Sequence, residues 1–282
     1  MHGHVAKPLT QVLGGYRQSA PPVALAGLSE CRWLHAIAGA TDPRCPAHQV
    51  LPDPGLSLAF MCRRDADGRV DAPSLALIGP IFTAYPLALR PGYEIVAFKL
   101  YPEWSLPLLG AHAREHVDRI HDMQEVDPRT RPLLEALTRT RHWSEASQLL
   151  AGSLHEARGR LGTSAGREAR QQEAAAALRG APARRPVAAA AALCGIGTRH
   201  FRRLFEAATG VTPKSYSRAR RFLRVLAAAD AAASPDWAAL ALAGGYSDQA
   251  HMVHEFRDIA GRTPAALLQE RRLEAGLYRP RG

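Results

Sequence analysis

The first hundred residues alternate between short apolar stretches and turn residues. Apolar runs lie at 56–60, 75–78 and 93–101, and turns such as Asp53-Pro54-Gly55 and Arg90-Pro91-Gly92 separate them. Short apolar runs bounded by Gly, Pro and Asp are typical of strands in an antiparallel sheet or barrel. We therefore expect a β-rich, barrel- or cupin-like N-terminal domain.

Beyond Leu106 the pattern becomes helical and stays so to about His155. Another helix is predicted over Glu168–Leu178, and residues 181–186, with two prolines, form a breaker or linker. From residue 187 onward the spacing is helical throughout. The predicted fold class is α+β, with a domain at 1–160, a helix and linker at 161–186, and an all-α domain at 187–276.

A motif of the form F-x4-G-x-T-P occurs twice, 51 residues apart. It runs from Phe205 to Pro213 and from Phe256 to Pro264, and a histidine precedes each Phe by five residues. Five identities at one offset indicate two copies of one unit. Each copy is predicted to contain a short helix, a turn with Gly and a second helix, which is the helix-turn-helix layout. The second helices are predicted at 198–209 and 248–260.

The second helix of each copy is amphipathic. Apolar residues recur at helical spacing, starting at Phe201 in the first copy and at Met252 in the second. The polar residues fall on the other side of each helix. Arginine pairs with guanine and glutamine with adenine through two hydrogen bonds in the major groove. These helices are therefore candidates for base recognition, and the alternative is an ordinary solvated face.

Between the copies, residues 213–232 are predicted to form one helix. Thr212 is expected as its N-cap and Pro213 as its first residue. About 20 helical residues span about 30 Å, close to the ~34 Å between successive major-groove faces of B-DNA. One rigid helix could therefore hold two recognition helices on the same DNA face.

The charge is asymmetric along the chain. The 282 residues carry a net charge of +10, of which residues 1–165 contribute +1 and residues 166–282 contribute +9. An excess of arginine in one part indicates a polyanionic partner, unless it is only a solvated basic face. The composition, with 46% hydrophobic and 22% charged residues, excludes whole-chain disorder.

The segments GIGTRHFRRLFEAATGVTPKSYSRARRFLRVL and LAGGYSDQAHMVHEFRDIAGRTPAALL resemble the DNA-binding domain of the AraC/XylS family of bacterial transcription regulators. The resemblance implies two helix-turn-helix units that contact double-stranded DNA through exposed residues early in each second helix. These DNA-binding residues are Thr198, Arg199, Arg202, Arg203, Asp248, Gln249, Ala250, His251 and His254. Gly197 stands where a Ser or Thr cap is usual, and His254 where Arg is frequent.

The N-terminal part resembles, more weakly, the β-rich sensor domains of the same family, through LPDPGLSLAF, LIGPIF and PGYEIVAFKLYPEWSLPLLGAHAREHVDRI. This resemblance implies binding of a small-molecule effector or formation of a homodimer. RNA polymerase is an expected partner if the protein is an activator. No cofactor, membrane span or signal peptide is expected, and the cytoplasm is the expected location.

Two alternatives remain open. His112 and His116, four residues apart in the predicted helical stretch, could bind a metal and make the protein a metal-responsive regulator, although no further ligand is apparent and a solvated amphipathic helix is the better explanation. The chain could also be a DNA-repair or other enzyme fused to a helix-turn-helix domain. The scattered cysteines and the absence of GxSxG, P-loop or Rossmann motifs argue against an enzyme.

Overall fold

A computed structural model describes residues 16–36, 48–65, 67–87, 92–109, 114–161 and 166–277. The strands of the N-terminal part are β1 (Tyr16–Ser19), β2 (Ser29–Ala36), β3 (His48–Val50), β4 (Leu56–Arg64), β5 (Val70–Ile78), β6 (Tyr85–Leu87), β7 (Tyr93–Leu100) and β8 (Ile120–Asp122). They form an antiparallel six-stranded sheet in the order β1-β2-β7-β4-β5-β8 and a two-stranded sheet of β3 and β6. The prediction of a β-rich N-terminal part is confirmed.

The main sheet packs one face against helices. Helices α1 (Ser105–Leu109), α2 (Met123–Val126), α3 (Arg131–Thr138) and α4 (Trp143–Leu161) follow β7, and β8 lies between α1 and α2. Phe60 of β4 and Phe98 of β7 share a core with Leu137 of α3 and Leu150 of α4, all with no exposed area. Burial of each such side chain stabilises the folded protein by about 1.5–3 kcal/mol. The helices therefore stabilise the central strands of the sheet.

The expectation of continuous helix from 106 to 155 is wrong around His116. Residues 114–116 form a single 3₁₀ turn, and the chain then enters β8, which pairs with β5. Asp118 has a positive φ of 54°, and its carboxylate accepts the backbone N–H groups of Phe82 and Thr83. These hydrogen bonds to a loop far away in sequence replace the hydrogen bonds of a helix. The periodicity of residues 106–155 carries no information about that loop, so it could not predict the break in the helix.

The remainder of the described chain is helical, as predicted. It contains α5 (Gly166–Gly180), α6 (Pro186–Leu193), α7 (Thr198–Thr209), α8 (Pro213–Ala231), α9 (Trp237–Gly244), α10 (Gln249–Ala260) and α11 (Pro264–Leu277). Within the described residues, no helix combines the length and the apolar character that crossing a membrane requires.

Two apolar cores organise these helices. The first joins α5, α6 and α7 around Phe201 and Phe205 and includes Tyr216 from the start of α8. The second joins α8, α9, α10 and α11 around Phe222 and Phe256. Phe82 and Val117 of the N-terminal part pack against the first core, so the sheet-bearing part is in direct contact with the first helical unit.

Candidate nucleic-acid interface

The first helix-turn-helix unit consists of α6 and α7. Helix α7 begins after Gly197 at its N-cap and ends at Gly210, whose φ is 75°. Glycine adopts this left-handed conformation without steric cost, and Gly261 ends α10 in the same way with a φ of 68°. The repeated glycine of the sequence motif is therefore the C-cap of each second helix.

Helix α7 separates an apolar face from a basic one. Phe201, Leu204, Phe205 and Ala208 are buried, as predicted. Thr198, Arg199, Arg202 and Arg203 are exposed. None of these three arginines forms an ion pair or side-chain hydrogen bond with another described residue. Their guanidinium donors are free to contact a partner.

The second unit consists of α9 and α10. The carboxylate of Asp236 caps α9 by accepting the N–H groups of Ala238 and Ala239. Gly244 at the end of α9 lies so close to α8 that an added Cβ would be 2.4 Å from Cγ2 of Val225. Glycine is thus required for the approach of α9 to α8.

The exposed side chains of α10 differ in whether they already contact another side chain of the protein. Gln249 and Ala250 are exposed and have no side-chain partner among the described residues. Nδ1 of His251 lies 3.0 Å from Oγ of Ser247, and Nε2 of His254 lies 3.7 Å from Oδ2 of Asp258. The Gln249 side chain is therefore more available to an external partner than the side chains of His251 and His254.

Asp248, which the resemblance placed among the DNA-contacting residues, has a structural role of its own. It is the N-cap of α10, and its Oδ1 accepts the backbone N–H of His251 at 2.7 Å. That hydrogen bond, followed by one from the Ser247 hydroxyl, lowers the pKa of the Asp248 carboxyl. The residue stays ionised and positions the first turn of α10.

Helix α8 connects the two units as one element. Its N-cap is Thr212, whose hydroxyl accepts the N–H of Ser215, and Pro213 is its first residue, as predicted. The Tyr216 ring lies 5.3 Å from that of Phe205 in the first core, and the Phe222 ring lies 4.5 Å from that of Phe256 in the second. Its 19 residues span about 28 Å, and both recognition helices are anchored to it.

Arg218 and Arg221 of α8 bind acidic side chains within the protein, which the sequence did not indicate. Arg221 donates to Oε2 of the buried Glu255 at 2.7 Å, and Arg218 donates to Asp258 at 2.8 Å. Helix α10 is therefore tied to α8 by charge as well as by apolar packing. The spacing of Arg218 and Arg221 placed them off the apolar stripe, but their partners on α10 are close only in the folded chain.

Ion pairs also connect the helical part to the sheet. Nη1 of Arg220 on α8 lies 3.3 Å from Glu30 of β2, and Lys99 of β7 bridges Glu30 and Asp53 at 3.3 and 2.8 Å. Burial acts to lower the pKa of Lys99, but the Asp53 and Glu30 carboxylates outweigh it, so the pKa is raised. Lys99 therefore stays charged at the boundary between the two parts.

A second contact joins the N-terminal part to α5. Arg179 near the end of α5 binds both carboxylate oxygens of Glu103, with a shortest distance of 2.7 Å. The same guanidinium lies 3.9 Å from the centre of the Tyr101 ring. A paired arginine stacked on an aromatic ring is a favourable combination of charge and cation–π interaction.

The structure describes only His116 of the two histidines proposed to bind a metal. His112 lies outside the described residues. His116 is buried, and its ring centre is 4.6 Å from that of His121. In the part of the chain that the structure describes, no three His, Cys, Asp or Glu side chains are arranged to hold a metal ion.

Comparison with known protein families gives a match within the helical part of the chain. A family model described as "Helix-turn-helix domain" matches residues 190–270. No curated protein matches this chain.

Among solved structures, the chain is similar to ToxT from Vibrio cholerae. An apo variant from strain SCE256 is 9% identical, with 89% of this chain and 99% of that chain covered and a TM-score of 0.41. ToxT from strain O395 is 7% identical, with 91% and 98% covered and a TM-score of 0.41. A wild-type ToxT bound to an unsaturated fatty acid is 8% identical, with 86% and 94% covered and a TM-score of 0.38. The family match makes residues 190–270 a helix-turn-helix domain, as the paired F-x4-G-x-T-P motifs predicted, and it agrees with the resemblance of these segments to the AraC/XylS DNA-binding domain.

Proposed function

We propose that this protein is a sequence-specific DNA-binding transcription regulator in which α7 and α10 read successive major grooves. The observation that carries the proposal is the attachment of both helices to α8. The exposed polar faces of α7 and α10 are connected by one helix about 28 Å long, and this length is close to the ~34 Å repeat of B-DNA.

Base recognition is proposed for the exposed residues early in each recognition helix. In the first unit these are Thr198, Arg199, Arg202 and Arg203, and the free arginines fit the guanine edge. In the second unit Gln249 fits adenine, and Ala250 can contact only an apolar group such as the thymine methyl. His251 and His254 complete this surface, with Asp248 fixing the start of α10.

Regulation is proposed to come from the N-terminal domain, residues 1–160, through a small-molecule effector. The contacts of Glu30 and Glu103 with Arg220 and Arg179 give that domain a direct connection to the DNA-binding helices. A homodimer and RNA polymerase are further proposed partners, and a bacterial regulator of this kind would act in the cytoplasm with its DNA. A separate catalytic activity is not part of the proposal, since the matched segment is a DNA-binding domain.

Selection of bound sequences from a random duplex pool, followed by footprinting on the selected site, tests this function. The wild-type chain should protect two adjacent major-groove segments on one DNA face. Gln249→Ala should lower discrimination at a single base pair by about 1–3 kcal/mol. Gln269→Ala, which removes an exposed glutamine from α11 without changing charge, is the matched control. Equal binding of selected and scrambled duplexes by the wild-type protein would refute sequence-specific recognition.

A further inference from the structure

Helix α5 lies outside the matched helix-turn-helix segment, yet it packs along the first recognition helix. Ala174 and Leu178 of α5 share the first core with Phe201 and Phe205 of α7. Closer to its N-terminus, α5 and α7 diverge into an open cleft of about 620 Å³. The cleft is therefore a surface feature shared by the recognition helix and its neighbour.

The lining of this cleft is basic. Arg167 and Arg170 project from α5, three residues apart on one helix face, and His200 and Arg203 project from α7. None of the described residues that line the cleft is an aspartate or a glutamate. The N-terminal end of α5 adds its positive helix dipole on the same side. This surface favours an anion.

The cleft arginines lack the carboxylate partners that several other arginines of the helical part have. Arg179, Arg221 and Arg271 each donate to a carboxylate at 2.7 Å. Arg167, Arg170 and Arg203 form no ion pair or side-chain hydrogen bond with another residue in the described ranges. Neighbouring like charges repel each other, and an anion between them removes that repulsion.

We propose that Arg167 and Arg170 bind phosphates of the DNA strand at the edge of the major groove that α7 enters. This inference rests on the proposed function. The major groove is about 12 Å wide and admits one helix, whereas packed helices lie about 8–10 Å apart. When α7 occupies the groove, α5 must lie over its edge, where the phosphate backbone runs. Arg203, shared by the cleft and the recognition face, makes the two surfaces continuous.

A phosphate contact has a signature that base contact lacks. Each neutralised phosphate contributes about −0.9 to the slope of log K against log salt, whatever the base sequence. The full-length double variant Arg167→Ala/Arg170→Ala should therefore reduce the magnitude of that slope by about 2. It should weaken selected and scrambled duplexes by the same factor, so that the preference between them is retained. Alanine is the best helix former, and circular dichroism should show retained helix content.

Two further variants isolate the cause. Arg131→Ala/Arg139→Ala removes the same charge from exposed positions at the two ends of α3 and should leave the slope unchanged. Arg167→Lys/Arg170→Lys retains the point charges and should keep most of the slope.

The outcomes separate this inference from the function on which it rests. Wild-type protein that binds its selected DNA, together with an Arg167→Ala/Arg170→Ala protein of unchanged slope, overturns the α5 contact and leaves the regulator function in place. Wild-type protein that binds no duplex overturns both. Inorganic phosphate is the probe for a small-anion site: thermal stabilisation by phosphate that depends on these arginines, with unaltered DNA binding, also overturns the inference.

Discussion

Nη2 of Arg221 in α8 lies 2.7 Å from Oε2 of Glu255 in α10, and the Glu255 side chain is only 7% exposed. Arg218 approaches the same carboxylate oxygen at 3.4 Å. The second recognition helix is thereby bound to the joining helix by one buried acid and two arginines. Glu255 controls the orientation of α10 although it faces away from the proposed DNA surface.

Glu255→Gln should lower the free energy of unfolding by about 1–3 kcal/mol, because it leaves the half-buried Arg221 without its charged partner. Urea denaturation measures this loss. Asp258→Asn is the control, since Asp258 is half-exposed and pairs with Arg218 near the surface, where such a pair contributes about 0–1 kcal/mol. Equal effects of the two substitutions would contradict a special role for Glu255.

The continuity of α8 should decide whether both grooves are contacted. Arg224 is exposed on this helix between the Tyr216 and Val225 contacts. Arg224→Pro removes a backbone hydrogen bond and clashes with the preceding turn, at about 3 kcal/mol or more. The footprint should contract to one half of the site. Arg224→Ala removes the same charge and preserves the helix, so it should protect both halves. A folded Arg224→Pro protein with a complete footprint would show that α8 is not the rigid spacer.

The close approach of α9 to α8 predicts a coupled pair of substitutions. Gly244→Ala should destabilise the protein by about 1–3 kcal/mol, because the new Cβ would collide with Cγ2 of Val225. Val225→Ala should also destabilise it, by leaving a cavity. In the double variant the new methyl group occupies part of that cavity, so the combined loss should be smaller than the two separate losses together. Additive losses in a double-mutant cycle would contradict this contact.

Alkaline pH should weaken the N-terminal sheet through Cys31. Burial raises the pKa of the Cys31 thiol from 9.0 to about 12. A folded-state pKa above the unfolded value gives stability that is complete below about pH 9 and is lost as pH rises toward 12. At pH 10 the loss from this group is about 1 kcal/mol.

Cys31→Ala tests this contribution. The variant has no thiol to ionise, so its stability deficit relative to the wild type should shrink by about 1 kcal/mol between pH 8 and pH 10. Urea unfolding at both pH values provides the comparison. If the stability deficit of Cys31→Ala is the same at both pH values, burial does not raise the pKa of the Cys31 thiol in the folded protein.

The parts of the fold that were predictable from sequence depend on local signals. Gly210 and Gly261 end α7 and α10, Thr212 caps α8, and Phe201 begins a buried stripe, each within a few residues of the element that it defines. The repeat then placed both helix-turn-helix units. The resemblance to the AraC/XylS family supplied the proposed DNA-contacting side chains, and periodicity indicated which side of each second helix is exposed.

The parts that were missed depend on partners far away in sequence. β8 has three residues and exists because it pairs with β5, some forty residues earlier in the chain. β2 contains both charged and apolar residues, and it forms a strand because it pairs with β1 on one side and β7 on the other. The Arg221–Glu255 pair and the α5 cleft likewise require packed helices. Periodicity within a short window carries no information about these contacts.

The shared packing of Phe82 and Val117 with the α5–α7 core bears on how this protein can be recombined with others. A chimera joined at residue 187 would remove α5 from the helix that it covers and would leave Arg220 without its partner Glu30. A graft that keeps residues 166–277 together retains the α5 packing. The incoming domain must then offer an acid to Arg179 and to Arg220, which lose Glu103 and Glu30, and an apolar surface to the core. Interchange of sensor domains is therefore constrained by the few side chains at this boundary.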